Sequence, residues 1–207
     1  MDHAIVVAAG SGIENTDLNT YGDIEFGSLP QIKRLIITAQ RAGIEKFTII
    51  TDDSDSPLRD LLTNDKRIES SINWSTIEEK INFKDAPYLV LQSNLLTTPD
   101  ALSNFIDTNV DKDEVFILTD TSDDQWIKTD GDSVEEITSS GGKAVGAFIA
   151  SGQLLEHYFS DSKSLHTMIP QLINEGKAKY REFSGKYWMR LTENANTAKV
   201  AEDLIFN

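Results

Sequence analysis

Apolar runs rich in β-branched residues alternate along this chain with segments whose apolar residues recur every three or four positions. The run Ile5–Ala9 is typical of a buried strand, and the spacing from Leu29 to Ala42 is typical of a helix that ends near Gly43. Phe47–Thr51 has the composition of a second strand. Such an alternation predicts an α/β fold, a three-layer sandwich with a mostly parallel central sheet, in a single domain over residues 1–207.

The rest of the chain continues this pattern, and the ends of its strands define a candidate crevice. In open α/β sheets a ligand binds beyond the carboxyl ends of the strands. This rule places Gly10–Gly12, Gln92–Asn94 and the segment after Trp188 at one rim. The other predicted strands are near Ile68–Ile72 and at Pro87–Gln92, Val115–Thr119, Trp126–Ile127, Val134–Ile137, Ala144–Ala150, Ala178–Phe183 and Tyr187–Leu191. The other predicted helices are Leu58–Leu62, one starting at Thr98-Pro99, Gln153–Phe159, Leu165–Glu175 and Asn194–Ile205.

The first strand runs into a glycine turn that has the shape of a phosphate-binding loop. Glycine has no Cβ, so backbone N–H groups can approach a phosphate closely. The nucleotide-binding candidates are Ala8, Ala9, Gly10, Ser11 and Gly12. Yet residues 1–32 contain no Lys or Arg, and the five negative charges in this region come from Asp2, Glu14, Asp17, Asp23 and Glu25. The turn therefore lacks the cations that usually hold a polyphosphate.

The overall charge excludes several classes of partner. A formal net charge of −15 argues against nucleic acid and anionic membranes, since both require a cationic face. The chain has no cysteine, which excludes disulfides, thiolate nucleophiles and Cys-ligated metals. It has no apolar run of membrane-spanning length and no secretion signal, so we expect a cytoplasmic protein. Residues 163–190 carry six Lys or Arg against two Glu, so an anionic ligand is expected to bind at the C-terminal third of the chain.

Four blocks in this order resemble the sugar-phosphate nucleotidyltransferase superfamily, and within it the inositol-1-phosphate cytidylyltransferase type. The blocks are Val6–Gly12, Gly27–Asp52, Tyr88–Asn94 and Gly185–Asp203. The resemblance implies a Rossmann-like fold of the GT-A type. It also implies the family reaction, in which a phosphate oxygen attacks the α-phosphorus of a nucleoside triphosphate and pyrophosphate leaves. That reaction needs cations and Mg²⁺ to neutralise the charge of the transition state.

The chain departs from the family pattern at each position that supplies this charge. Ile13-Glu14-Asn15 stands where the family has an Arg, and Asn19–Gly27 contains no Lys. Asn94 aligns with the metal-binding Asp, so a neutral amide replaces a carboxylate. Arg190, in Trp188-Met189-Arg190, stands where the second metal carboxylate belongs, so a cation replaces an anion. The resemblance therefore provides no confident catalytic residue and no metal ligand.

Two functional hypotheses remain. The favoured one is a pseudoenzyme with a binding or regulatory role. It would bind a small phosphorylated ligand or a nucleotide, and it would work as a homo-oligomer or beside an active homologue. The alternative is an active, divergent nucleotidyltransferase that transfers a nucleotidyl group from CTP or another nucleoside triphosphate to a sugar or polyol phosphate. An active enzyme would need Lys33, Arg34 or Lys186 to fold back into the site. No cofactor is expected, and Mg²⁺ is expected only for the active enzyme.

Arg190 likewise has two possible roles. If the crevice binds an anion, Arg190 is expected to be its principal cation, because a guanidinium pairs bidentately with a phosphate. The alternative is an internal ion pair with Glu14 or Asp17 that closes an empty site. The sequence favours neither interpretation over the other.

Overall fold

A computed structural model provides the fold of this chain. The structure describes residues 1–8, 25–26, 29–119, 127–137, 146–162, 165–182 and 189–190. Of residues 25–26, 119, 127, 137, 158–162, 165–167 and 189–190 it describes the backbone alone. The predicted Gly10–Gly12 turn, Trp126, Lys186 and the predicted Asn194–Ile205 helix lie outside the described residues.

Thirteen strands and five helices are present in the described part of the chain. The strands are β1 His3–Val7, β2 Glu25–Phe26, β3 Leu29–Pro30, β4 Lys46–Thr51, β5 Ser71–Thr76, β6 Pro87–Gln92, β7 Leu95–Leu96, β8 Val115–Thr119, β9 Ile127–Asp130, β10 Ser133–Ile137, β11 Ala147–Ser151, β12 Ala178–Glu182 and β13 Met189–Arg190. The helices are α1 Gln31–Arg41, α2 Leu58–Leu62, α3 Pro99–Ile106, α4 Gly152–Ser162 and α5 Leu165–Asn174. Their alternation is the predicted one.

The central sheet has nine strands in the order β5-β4-β1-β6-β11-β8-β12-β10-β9. The pairs that join β5, β4, β1 and β6 are all parallel. Strand β11 runs against its neighbours β6 and β8, whereas β8 and β12 are again parallel. The predicted α/β fold with a mostly parallel sheet is therefore confirmed, and the antiparallel strands are confined to the half beyond β6.

The strands are apolar on both faces because helices cover both faces. Val6 of β1 and Leu89 of β6 pack with Ile36 of α1 and Phe105 of α3 on one side. On the other side Ile5, Val90 and Phe148 pack with Leu155 and Leu172 of helices α4 and α5, in a second cluster. These two clusters lie between the sheet and the helices on each face, so that helices, sheet and helices form three layers.

Two local signals in the sequence are confirmed at the ends of helices. Gly43 follows α1 with a φ of +107°, a conformation that side chains with a Cβ rarely adopt. Thr98 caps α3, and its hydroxyl accepts a hydrogen bond from the backbone N–H of Ala101 at 3.4 Å. Helix α1 itself begins at Gln31 rather than Leu29, because Leu29–Pro30 pairs with Glu25–Phe26 as a short strand.

Other boundaries differ from the prediction. The strand expected near Ile68–Ile72 is wrong in position, because Ile68 lies in a turn that its N–H closes onto the carbonyl of Asp65, and the strand runs over Ser71–Thr76. Strand β7 was not predicted. The expected closing strand contains Met189–Arg190, but these residues pair with β7 in a separate two-stranded sheet.

Candidate functional site

Strands β1 and β6 end side by side, and this shared end defines the candidate site. Val7 is the register partner of Gln92, and the N–H of Ser93 donates to the carbonyl of Val7 at 3.0 Å. Ala8 is fully buried, and its N–H donates to the carbonyl of Ile50 at 2.8 Å. Because this N–H is engaged, Ala8 is not a phosphate donor in this conformation. Ala9, Gly10, Ser11 and Gly12 lie outside the described residues.

Asn94 follows β6 directly and is only 2% exposed. It leads into β7, whose Leu95 pairs with Arg190 and whose Leu96 pairs with Met189 in an antiparallel ladder. The structure therefore brings the backbone of Arg190 beside the residue that follows Asn94. Two positions almost a hundred residues apart in the sequence meet at the same rim, as the carboxyl-end rule requires.

Gln31 is a site residue that sequence reasoning missed. It is the first residue of α1 and is fully buried, and its Nε2 donates to the carbonyl of Leu95 at 2.5 Å. This bond attaches the start of α1 to β7, between Asn94 and the strand pair that contains Arg190. A glutamine among the apolar positions of the helix was the only available signal, since the partner lies far away in the sequence.

Several polar groups at this edge are buried without a partner in the part of the chain that the structure describes. They are both side-chain atoms of Gln92, the hydroxyls of Ser93 and Thr97, and the Oε1 of Gln31. A buried polar group normally has a hydrogen-bond partner, because burial without one costs about 1–3 kcal/mol. Their clustering within a few residues of Asn94 distinguishes this edge.

The cations that an active site would need are placed elsewhere. Lys33 forms an ion pair with Asp65 at 3.0 Å, in the loop that leads into β5. Hydrogen bonds from Arg67 and then from Lys33 hold the pKa of the Asp65 carboxyl far below its usual range. Burial lowers the pKa of Arg34. Lys33 is therefore held against the loop that leads into β5.

A separate cleft of about 590 Å³ lies beside the start of edge strand β5. Its lining includes Leu62, Asp65, Ile72 and Trp74. The Arg59 guanidinium lies 4.9 Å from the centre of the Trp74 ring, within the range of a cation–π contact. None of the predicted site residues whose side chains the structure describes lines this cleft.

The described residues contain no group of three or more His, Asp or Glu side chains placed to hold a metal ion. Among the same residues, no helix is both long and apolar enough to span a bilayer.

Compared by sequence, the chain matches no protein-family model and no curated protein. Compared by structure, it resembles the inositol-1-phosphate CTP transferase from T. maritima, with a TM-score of 0.71 and 15% identity over 100% of this chain and 97% of that one. The chain has the sugar-phosphate nucleotidyltransferase fold. HddC from Yersinia pseudotuberculosis complexed with GMP-PN has a TM-score of 0.77 at 15% identity, over 99% of this chain and 100% of that one. UDP-glucose pyrophosphorylase complexed with UDP-glucose has a TM-score of 0.68 at 11% identity, over 100% and 98%. The resemblance stated from the sequence is thus confirmed at the level of the fold.

Proposed function

We propose that this protein is a catalytically degenerate nucleotidyltransferase-like protein of the cytoplasm. It binds a small phosphorylated ligand or a nucleotide at the carboxyl ends of β1 and β6, in a binding or regulatory role. The observation that carries the proposal is the place of Asn94, buried after β6 where the resemblance puts a metal-binding Asp. A neutral amide can give Mg²⁺ an oxygen ligand but none of the charge that holds it.

Arg190 supports the same proposal. Its backbone pairs with Leu95, next to Asn94, where the resemblance puts the second metal carboxylate. An arginine repels Mg²⁺ where a carboxylate would bind it, and its guanidinium suits a phosphate oxygen instead. We therefore propose Arg190 as the principal cation for an anionic ligand, with an internal ion pair to Glu14 or Asp17 as the alternative.

The donors at this edge do not fit a bound Mg²⁺. Mg²⁺ in phosphoryl-transfer sites is held by one or two carboxylates together with the phosphates of the substrate. The edge offers an amide and an arginine at the corresponding positions, and the ion pair with Asp65 holds Lys33 away from it. No step through a metal is proposed for this chain.

The structural neighbours support the class of ligand. One neighbour was solved with GMP-PN and another with UDP-glucose, so the fold accommodates nucleotides and nucleotide sugars in those proteins. A regulatory role would place this chain in a homo-oligomer or beside an active homologue.

A pyrophosphate-release assay tests the proposal. The pure protein is incubated with Mg²⁺, each nucleoside triphosphate in turn and a panel of sugar and polyol phosphates, with an active nucleotidyltransferase of the same fold as positive control. We expect no release above the protein-free background. Release that requires both this protein and one acceptor would instead establish the alternative, a divergent active nucleotidyltransferase.

A further inference from the structure

Gln92 is the least satisfied polar side chain of the candidate site. It is 2% exposed, and neither its Oε1 nor its Nε2 has a hydrogen-bond partner in the described part of the chain. The neighbouring Ser93 is fully buried, and its hydroxyl also lacks a partner there. Because a leucine at position 92 would avoid this loss, an amide without a partner among the described residues is available to a ligand at this edge.

The position of Gln92 directs its side chain to the rim of the sheet. Tyr88 and Val90 of β6 face the layer formed by α4 and α5, and Gln92 continues that alternation at the last position of the strand. Its backbone lies between Val7 of β1 and Gly146, to whose carbonyl its N–H donates at 2.9 Å. Gly146 presents no side chain. The amide therefore lies beside the end of β1, where the proposed crevice begins.

The hydrogen-bonding groups of the Gln92 amide determine which part of a ligand it can bind. An amide offers a donor and an acceptor, and a hydroxyl offers both as well. A phosphate offers acceptors alone, so the Oε1 of Gln92 would face another oxygen lone pair. Hydroxyl groups of a sugar, a polyol or a ribose both donate and accept, so they can satisfy both the Oε1 and the Nε2 of Gln92.

We propose that Gln92 determines specificity at this site by hydrogen bonding to an uncharged, polyhydroxylated part of the ligand. The proposal rests on the proposed function, since it uses the same crevice. The hydroxyls come from one of two sources, the ribose of a nucleotide or the ring of a phosphorylated sugar or polyol. In this proposal Arg190 binds the charged group of the ligand and Gln92 binds its hydroxyl groups.

The test compares wild type with Gln92→Met, which keeps the length of the side chain and removes the amide. Thr108→Val is the matched control, because Thr108 also has a buried, unpaired hydroxyl but follows α3 at the amino end of the sheet. Calorimetric titrations use inositol 1-phosphate, CMP, the 2′,3′-dideoxy analogue of CMP, and inorganic phosphate. A thermal melt of each ligand-free variant accompanies them.

We expect Gln92→Met to bind the hydroxylated probe about tenfold or more weakly than wild type, which corresponds to the loss of one good hydrogen bond. We expect its affinity for inorganic phosphate to stay the same, and Thr108→Val to bind every probe as wild type does. A loss on CMP that is absent for its dideoxy analogue identifies the ribose, and a loss on inositol 1-phosphate identifies the polyol. The ligand-free Gln92→Met variant is expected to melt no lower than wild type.

Three results would overturn the inference. Equal binding of a hydroxylated probe by wild type and Gln92→Met refutes the role of the amide and leaves the proposed function standing. Binding of inorganic phosphate as tightly as any hydroxylated probe has the same meaning. A much lower melting temperature for ligand-free Gln92→Met would show that the amide stabilises the folded protein rather than binding a ligand. If wild type binds none of the four probes, the proposed function fails together with the inference.

Discussion

The two ends of the parallel strands treat their buried polar groups differently. In the loop that leads into the amino end of β5, Asp65 is paired with Lys33 and Arg67, and the hydroxyl of Ser70 donates to Gln40 at 2.9 Å. At the carboxyl end of β6, the amide of Gln92 and the hydroxyl of Ser93 are buried without a described partner. These groups at the first end are paired within the chain, although the Thr108 hydroxyl at the same end is not, whereas the second end has three adjacent side-chain atoms without a described partner, which we propose serve a ligand. In open α/β sheets a ligand binds at the second end, where we have proposed the site.

The largest expected effect comes from restoring the negative charge that the resemblance implies at the second end. The double variant Asn94→Asp with Arg190→Asp places two carboxylates where the resemblance puts metal ligands. We expect it to bind Mg²⁺ measurably by calorimetry and to melt at a higher temperature with Mg²⁺ than without, because the metal relieves the repulsion between two close carboxylates. Wild type and the single Arg190→Asp variant are the controls, with no such response. Unchanged melting of the double variant in Mg²⁺ would mean that these two side chains do not face each other.

At the first end, removing the shared carboxylate is expected to cause the largest loss of stability. Asp65→Asn leaves Lys33 and Arg67 without their acceptor, and the Asp65 side chain is only 9% exposed. In urea unfolding the midpoint should fall several times further than for Asp85→Asn, whose pair with Lys112 is mostly exposed. Because the folded pKa of Asp65 is depressed, this contribution is present above the ordinary value of 3.8 and is lost as the pH falls further. Equal midpoints for the two variants would contradict the description of these groups as paired within the chain.

A smaller loss is expected where the two ends are connected through α1. Gln31→Met removes the hydrogen bond to the carbonyl of Leu95 and leaves that carbonyl buried and unpaired. The expected cost is about 1–2 kcal/mol in the free energy of unfolding. The urea denaturation curve measures it, and Gln153→Met, at an exposed position near the start of α4, is the matched control away from β7. If Gln31→Met is as stable as wild type, the hydrogen bond from Gln31 does not hold α1 against β7.

The smallest effect concerns His3, at the amino end of β1. Burial lowers the pKa of its imidazole from 6.5, and its Nε2 lies 3.0 Å from the hydroxyl of Thr48. Since the unfolded chain takes up a proton that the folded chain resists, stability should fall as the pH drops below 6.5. His3→Gln should flatten this slope between pH 7 and pH 5 in thermal melts. An unchanged slope would assign the pH dependence to other groups.

The fold was predictable because the signals that specify it are local. Strands such as Ile5–Val7 and Leu89–Leu91 are apolar at every position, and this is the pattern of a sheet buried on both faces. Strand β5 was misplaced because it lies at the edge, where only Ile72 and Trp74 alternate with polar residues. Strand β7 has two residues, too few for any periodicity.

The site was less predictable because its contacts are long-range. The rim that joins Gln92–Asn94 to the closing segment followed from topology alone. The bond between Gln31 and Leu95 joins residues 64 positions apart, and no composition or spacing indicates it. The unpaired state of Gln92 is likewise a property of its surroundings, since a glutamine at the end of a strand looks ordinary in a sequence.

Calorimetric titration of CTP into the wild-type protein, with and without Mg²⁺, tests the central claim most directly. The claim is that this edge keeps the shape of a nucleotidyltransferase site without the charge to bind a metal triphosphate. We predict no saturable binding of CTP that depends on Mg²⁺ at sub-millimolar concentration, and the same result with UTP. A micromolar Kd that appears only when Mg²⁺ is present would contradict the account.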